Sequence, residues 1–458
     1  MKYTHWRAVL PCLALAGLAT GCMANRQAAP WPPPRPLGSH YDTMASEIAP
    51  VGPRPKPAAT LDLDQAISRA LLHNPTLSAS YSATLAADAR ATQARALPNP
   101  QLEIEVEEYD RDGAGSDSAE IAFVLSQQFE LSGARRHRSQ TAEARRTLAG
   151  WAYESTRLDV ITATTRRFVA AIAAERQLEL AKSALSLAGE MSEAVSERVR
   201  AGKEPPLQAA KAASELELAR LALLQAQNTL TVSRQRLASM WGSEKADFET
   251  LDGSLETVLQ SIPSLESLRS ILDMDPDLAR WEAEVRIRQG TLKAQQAERV
   301  PTLNAFVGHQ QYEEDGTDAM AFGIGFPLPL FDRNRANIDA ARHDLAAIEA
   351  QRKAATTALV SVLAEAHANL VWSQQRVATL RTELVPAMEN AFKAAREGYR
   401  QGKFSFLDML DAQGRLVTAR RSLVDALFGY HVAIADIERI TGTDINERIQ
   451  GGPDYETD

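Results

Sequence analysis

Thiols are almost missing from this chain of 458 residues, which holds two cysteines, Cys12 and Cys22. Both lie close to the N-terminus, so the body has neither a disulfide framework nor a thiolate metal site. Histidine is sparse too. The eight, His5, His40, His73, His137, His309, His343, His367 and His431, never fall three or four apart, so no helical pair stands ready for a metal. Glycine loops for phosphates or dinucleotides are lacking. Phe404 follows Gly402-Lys403, no glycine stands five before Gly402, and Gly323-x-Gly325 runs into Pro327. Gly-x-Ser-x-Gly does not occur. No catalytic residue, metal ligand or cofactor is expected, and the chain does not read as an enzyme. Its net charge of −9 speaks against a nucleic-acid partner, which usually meets a basic face. Past the N-terminus no run reaches ~18 apolar residues, so no further single helix is expected to cross a membrane.

The N-terminus reads as an export signal over residues 1–21. Lys2, His5 and Arg7 are basic, and Ala8 to Ala19 is a short apolar stretch. Leu18-Ala19-Thr20-Gly21-Cys22 is similar to a lipoprotein cleavage box, with Ala19 where such boxes usually carry leucine. Lipidation at Cys22 is the expectation; ordinary signal cleavage beside an incidental thiol is the alternative. Residues 23–58 then hold nine prolines, which favour an extended, non-packing tether over residues 22–59.

From Thr60 onward the chain repeats itself at a spacing of about 200 residues. Asn74-Pro75-Thr76-Leu77 returns as Asp275-Pro276-Asp277-Leu278, and Leu97-Pro98 as Val300-Pro301. Leu131 and Arg136 return as Leu330 and Arg335. Arg200-Ala201-Gly202-Lys203 with Leu207 returns as Arg400-Gln401-Gly402-Lys403 with Leu407, and Gly242 as Gly442. The spacing predicts two copies, residues 60–262 and 263–447, ahead of a tail at 448–458. Each copy holds a strand pair, about 101–131 and 302–330, followed by long helices, about 134–241 and 332–441. No proline falls between Pro100 and Pro205. Leu158, Ile161, Phe168 and Ile172 step by heptad intervals, as do Leu359, Leu363, Ala366, Leu370, Val377, Leu380 and Leu384. A helix from Ala134 to Ala201 is roughly 100 Å long at ~1.5 Å per residue, a length suited to coiled-coil packing. Pro386 should interrupt the second long helix.

The strand pairs alternate. Leu102, Ile104 and Val106 interleave with Glu103, Glu105 and Glu107; a loop with Gly113, Gly115 and Ser116 leads to Ile121, Phe123 and Leu125. The second copy offers Leu303, Ala305 and Val307, a loop at Gly316, then Phe322, Ile324, Phe326 and Leu328 against Gly323 and Gly325. Strands apolar on one face suit a membrane barrel with glutamates toward a wet lumen; two half-buried hairpins of a soluble sheet are the other reading. Four strands fall short of the ~8 that a barrel needs, and lipid tolerates no open edge, so a spanning form must oligomerise.

Two stretches carry a resemblance: Gly398 through Gln413, which reads Gly-Tyr-Arg-Gln-Gly-Lys-Phe-Ser-Phe-Leu-Asp-Met-Leu-Asp-Ala-Gln, and Phe326-Pro327-Leu328-Pro329-Leu330-Phe331-Asp332-Arg333-Asn334. With the duplicated plan and the two Gly-Lys turns, the chain resembles the TolC-like outer-membrane efflux family. The second stretch is similar to its CzcC-type branch, which serves heavy-metal pumps of the resistance-nodulation-division class. The resemblance implies a mainly α chain with a membrane β-barrel portion. It implies a homotrimer with a 12-stranded barrel in the outer membrane of a Gram-negative bacterium and a helical tunnel across the periplasm. A periplasmic adaptor and an inner-membrane pump would be its partners. It also implies that the turns Gly202, Lys203, Leu207 and Gly402, Lys403, Leu407 meet the adaptor, and that Asp408 and Asp411 narrow the entrance. Tyr399 matches a latching tyrosine whose usual aspartate partner is replaced here by Gln208, leaving at most a neutral hydrogen bond. Two such rings of carboxylates should attract cations or raise their own pKa values. Drug efflux, protein secretion and, in another class, a lipid-anchored periplasmic coiled-coil scaffold remain the alternatives.

Overall fold

The computed structural model describes residues 32–39, 58–107, 120–272, 275–312 and 317–445. The export signal, Cys22, most of the tether, the loops at Gly113, Gly115 and Gly316, and the tail lie outside them. In chain order the elements are β1 (Ala58–Leu61), α1 (Leu63–His73), α2 (Pro75–Gln93), β2 (Gln101–Glu107), β3 (Glu120–Phe129), α3 (Ala134–Arg200) and α4 (Pro206–Ala238). There follow β4 (Phe248–Leu251), α5 (Leu265–Arg269), α6 (Pro276–Ala297), β5 (Leu303–Tyr312), β6 (Thr317–Gly325), α7 (Arg335–Thr379), α8 (Val385–Arg400) and α9 (Phe406–Thr441).

Both copies open on the same device. Asn74 caps α2, accepting from the Thr76 and Leu77 N–H groups, with Pro75 in the first turn. Asp275 does the same for α6 through Asp277 and Leu278 ahead of Pro276. A side-chain oxygen at the cap and a proline just inside it satisfy or remove N–H groups that a helix start leaves unbonded. The long helices then begin at left-handed residues, Gly133 (φ 73°) and Asn334 (φ 55°). Leu131 stands two residues before the first and Leu330 four before the second, so the junction in the second copy is longer than the leucine and arginine markers imply.

The proline at 386 takes effect one turn early. Residues Leu380–Leu384 form a π-turn between α7 and α8, which lets the helix run on past a residue that lacks an N–H and crowds the preceding carbonyls. The helical stretch Arg335–Arg400 is long and apolar enough to cross a membrane by length and composition, against the expectation from unbroken runs. Its buried Leu363, Leu370 and Val377 belong to a protein core.

That core joins α1, α3, α7 and α9, with Leu158, Phe168, Leu363, Leu427 and Ile437 among its members. Two short strands sit beside it: β1 pairs in parallel with β4, Thr60 opposite Thr250, so β1 crosses the expected tether boundary at 59. The connection between copies is held by side chains. The Tyr430 hydroxyl accepts from the Leu259 N–H at 2.8 Å, and His431 and His367 each lie 3.0 Å from a backbone oxygen, of Leu255 and Pro263. Part of the proline-rich segment also packs. Arg35 and Leu37 are buried, the Arg35 N–H donates to Glu154 at 2.7 Å, and the Leu37 N–H to the Gly442 carbonyl at 2.8 Å. Arg157 bonds Glu154 through two nitrogens at 2.8 Å and donates to the Arg35 carbonyl. The non-packing expectation fails there because one buried carboxylate gathers two guanidinium-bearing residues.

Candidate functional site: the helical tip and the strand sheet

At the tip the α3–α4 and α8–α9 turns are built alike. Gly202 (φ 68°) and Gly402 (φ 74°) take the left-handed conformation that costs a side-chain-bearing residue most. The Lys203 N–H reaches back to the Arg198 carbonyl at 2.8 Å and the Lys403 N–H to Gly398 at 2.7 Å, while the two glycine N–H groups bond Val199 and Tyr399. This double bond pattern closes the last orphan carbonyls of α3 and α8. Both lysines face solvent, and so do Leu207 and Leu407 at the start of the returning helices. A Cβ on Gly398 would run into the Phe404 ring, so a glycine is what lets that ring fold over the turn.

Behind the turns lies a second, smaller core: Met191, Val195, Ala212, Phe392, Tyr399, Phe406 and Met409. Tyr399 is buried there, its ring under the Arg198 guanidinium at 4.8 Å and 6.0 Å from Phe406. Burial, and then the Glu204 carboxylate, push its hydroxyl pKa up, with Arg198 opposing. Arg198 and Glu204 form an ion pair at 3.5 Å. The Gln208 side-chain oxygen is buried without a hydrogen bond. Within one protomer the Tyr399 hydroxyl makes no bond to Gln208, the most that the resemblance allowed; the carboxylate beside the tyrosine is Glu204, in the α3–α4 turn. Glu204 lies two residues past Gly202, and that proximity was the available signal.

Asp408 and Asp411 are exposed near the start of α9. Asp408 closes a capping box: its carboxylate accepts from the Ser405 N–H at 2.9 Å and hydroxyl at 2.7 Å, while the Asp408 N–H donates to Ser405 Oγ. Those hydrogen bonds hold its pKa below the usual carboxylate value within one protomer. A charged acceptor at a cap is favoured, and within one protomer no like charge opposes it. Asp411 pairs with Arg415 at 2.8 Å, one turn along.

The sheet runs β2-β3-β5-β6, antiparallel throughout. Its register aligns Leu102, Leu125, Val307 and Phe322 in one row, and Ile104, Phe123, His309 and Met320 in the next. All of these apolar side chains are exposed, Phe322 at 87%. The opposite face carries Glu103 and Glu105 beside Val124, Ala122, Gly308, Gln310 and Ala321. β2 and β6 each keep one unpaired edge. Among the described residues no group of three or more His, Cys, Asp or Glu side chains is placed to hold a metal ion.

The comparisons agree with this architecture. Residues 66–243 and 268–443 match the family described as outer membrane efflux protein. The chain is 32% identical to the cobalt-zinc-cadmium resistance protein CzcC of Cupriavidus metallidurans, over 88% of this chain and 94% of that protein. It is 26% identical to the nickel-cobalt-cadmium resistance protein NccC of Alcaligenes xylosoxydans xylosoxydans, over 62% and 64% of the two chains. Among solved structures CusC superposes with a TM-score of 0.71 at 19% identity, covering 91% of this chain and 98% of that one. A duplicated strand-pair and long-helix plan, an antiparallel sheet apolar on one face, and these matches over most of the chain lead to one conclusion: the chain belongs to the outer membrane efflux protein family.

Proposed function

We propose that three copies of this chain close a twelve-stranded barrel in the outer membrane and continue it as a helical tunnel through the periplasm. That assembly would be the passive outlet of a tripartite pump. The observation that carries this reading is the sheet: four strands, two free edges and a single apolar face. An edge left open in lipid costs several kcal/mol for each unbonded group, so the edges must meet another copy. Two copies give eight strands, a number at which side chains fill the interior; three leave room for a lumen. Glu103 and Glu105 then line water. An adaptor meets the tip turns, an inner-membrane pump of the resistance-nodulation-division class drives transport, and the acyl chain on Cys22 supplies a second membrane attachment. Heavy-metal cations are the cargo that the names of the CzcC and NccC relatives support. Asp408 and Asp411 face the tunnel mouth as stacked carboxylate rings.

Size and lipid analysis test the assembly. Protein extracted in mild detergent should run as a trimer and conduct ions when inserted in a planar bilayer. A monodisperse monomer that retains its strand content would overturn the barrel. Deleting the gene should sensitise the host to divalent heavy metals, and full resistance without it would remove the metal cargo.

A further inference from the structure

Below the sheet, the outward row of β6 does not stop where pairing stops. Met320, Phe322 and Ile324 are succeeded at the same alternation by Phe326, Leu328 and Leu330, all exposed. Ten steps at ~3.3 Å make an apolar row of at most roughly 33 Å, which at the ~40° tilt of a barrel strand is enough to span the ~25 Å apolar band of a membrane barrel. The unpaired part is unusually free of orphan donors. Pro327 and Pro329 have no N–H, and the Leu330 N–H bonds the Leu328 carbonyl at 2.8 Å. A segment of this kind brings fewer orphan donors toward lipid than an ordinary one, and its carbonyls call for polar partners at the headgroup level.

The next residues change chemistry. Phe331 is fully exposed, at 100%. It borders a cavity of about 360 Å³ that Asp332, Arg333 and Arg335 also line. Asp332 is occupied with the Asn334 N–H at 2.8 Å, whereas neither arginine forms an ion pair among the described residues. The first copy repeats the order. Exposed Leu131 precedes Arg135 and Arg136, both exposed and likewise without an ion pair. Apolar side chains continuous with the membrane face, followed within one turn by unpaired guanidinium groups, match the boundary between acyl chains and anionic headgroups.

We propose that the two strand-to-helix junctions, centred on Phe331 with Arg333 and Arg335 and on Leu131 with Arg135 and Arg136, form a collar that binds anionic phospholipid in the periplasmic leaflet of the outer membrane. The apolar residues enter the acyl boundary, and the arginines take the phosphate groups. This rests on the barrel reading above.

The test uses the full-length protein in vesicles of zwitterionic and anionic phospholipid in equal parts, brominated on one class or the other. Bromine quenches a nearby indole. Phe331→Trp should be quenched more than the parent, and more by the brominated anionic lipid. Each arginine that reaches a headgroup favours anionic lipid by roughly fivefold, so Arg333→Gln with Arg335→Gln should erase the preference. Phe322→Trp, on the paired part of the row, should be quenched equally by either lipid. If Phe322→Trp is quenched and Phe331→Trp is not, the junction is covered by a neighbouring protomer and the collar is wrong while the barrel stands. Equal quenching of Phe331→Trp by both lipids removes headgroup selection and also overturns the collar. If neither position is quenched, the barrel itself fails.

Discussion

Asn74 and Asp275 do the same mechanical job in the two copies, each accepting two N–H groups ahead of a proline. Their surroundings are unlike. Asn74 is neutral and donates its amide to the Met240 carbonyl at 2.8 Å. Asp275 is a buried carboxylate whose pKa is pushed up to about 6, by burial and then by Asp277, with Arg439 opposing. The tips repeat the contrast. Gly202 and Gly402 turn alike, yet α4 starts at Pro205 with no side-chain cap and α9 starts in the Ser405–Asp408 box. What the copies share is backbone geometry, an acceptor at a cap and a left-handed glycine. Charge is where they have parted, and each copy's charges now tie it to a different neighbour.

The largest break in that comparison comes from Glu154, the α3 carboxylate that holds the Arg35 backbone and pairs with Arg157 on the same helix. Glu154→Ala leaves the buried Arg157 guanidinium without its ion-pair partner and the Arg35 N–H without its acceptor, which typically costs about 3–5 kcal/mol. The denaturant midpoint of the protein should fall accordingly, and an unchanged midpoint would show that water reaches these groups. Asp275→Asn should move the other way. Because burial raises its pKa in the folded chain, Asp275 favours folding most when protonated, and stability declines as pH climbs from about 4 to about 6. The amide keeps the cap, as Asn74 does, and removes that decline; the gain at pH 7 is at most about 3 kcal/mol. Stability measured from pH 4 to 9 decides it. What slope remains up to about 8 belongs to Glu438, raised by burial and then by Asp444.

The helices were legible because their signal is local: Leu158, Ile161, Phe168 and Ile172 repeat at one period within a single element, and all four are buried as that period requires. Strand alternation was legible for the same reason. The β1–β4 pairing was not, since Thr60 and Thr250 lie 190 residues apart in strands too short to show a period. Nor was the docking of Arg35, because a run of prolines states only what a segment cannot form. At the tip, Ser405 three residues before Asp408 is a capping box that composition alone displays. Glu204 beside Tyr399 is a contact between the two copies, from the α3–α4 turn to the end of α8, and no periodicity reports it.

Substituting Gly202→Ala or Gly402→Ala sharpens the likeness between the turns. Both sites have open space where a Cβ would go, so the left-handed backbone alone sets the cost, about 1–2 kcal/mol. Hydrogen-exchange protection of the tip amides should drop by similar factors in the two variants. A much larger loss in one would mean that its turn carries packing the other lacks.

The smallest effect on stability, and the one closest to transport, concerns Asp408 and Asp411. Asparagine at both positions keeps size and hydrogen bonding, and it forfeits only an exposed carboxylate near a helix start. Trimer stability should therefore change little. Within one protomer Asp408 is occupied by Ser405 and Asp411 by Arg415, so any field at the mouth must come from three copies converging. Like charges gathered around one axis repel one another, and that repulsion is relieved by drawing in cations. Single-channel recordings of the double variant should then show lower cation preference and weaker block by multivalent cations. Ser405→Ala serves as the control, because it removes the capping hydroxyl and leaves both charges in place. If the control changes selectivity as much as the double variant, geometry of the turn is responsible. If the double variant conducts with unaltered selectivity and block, the two aspartates serve α9 alone and the constriction lies elsewhere.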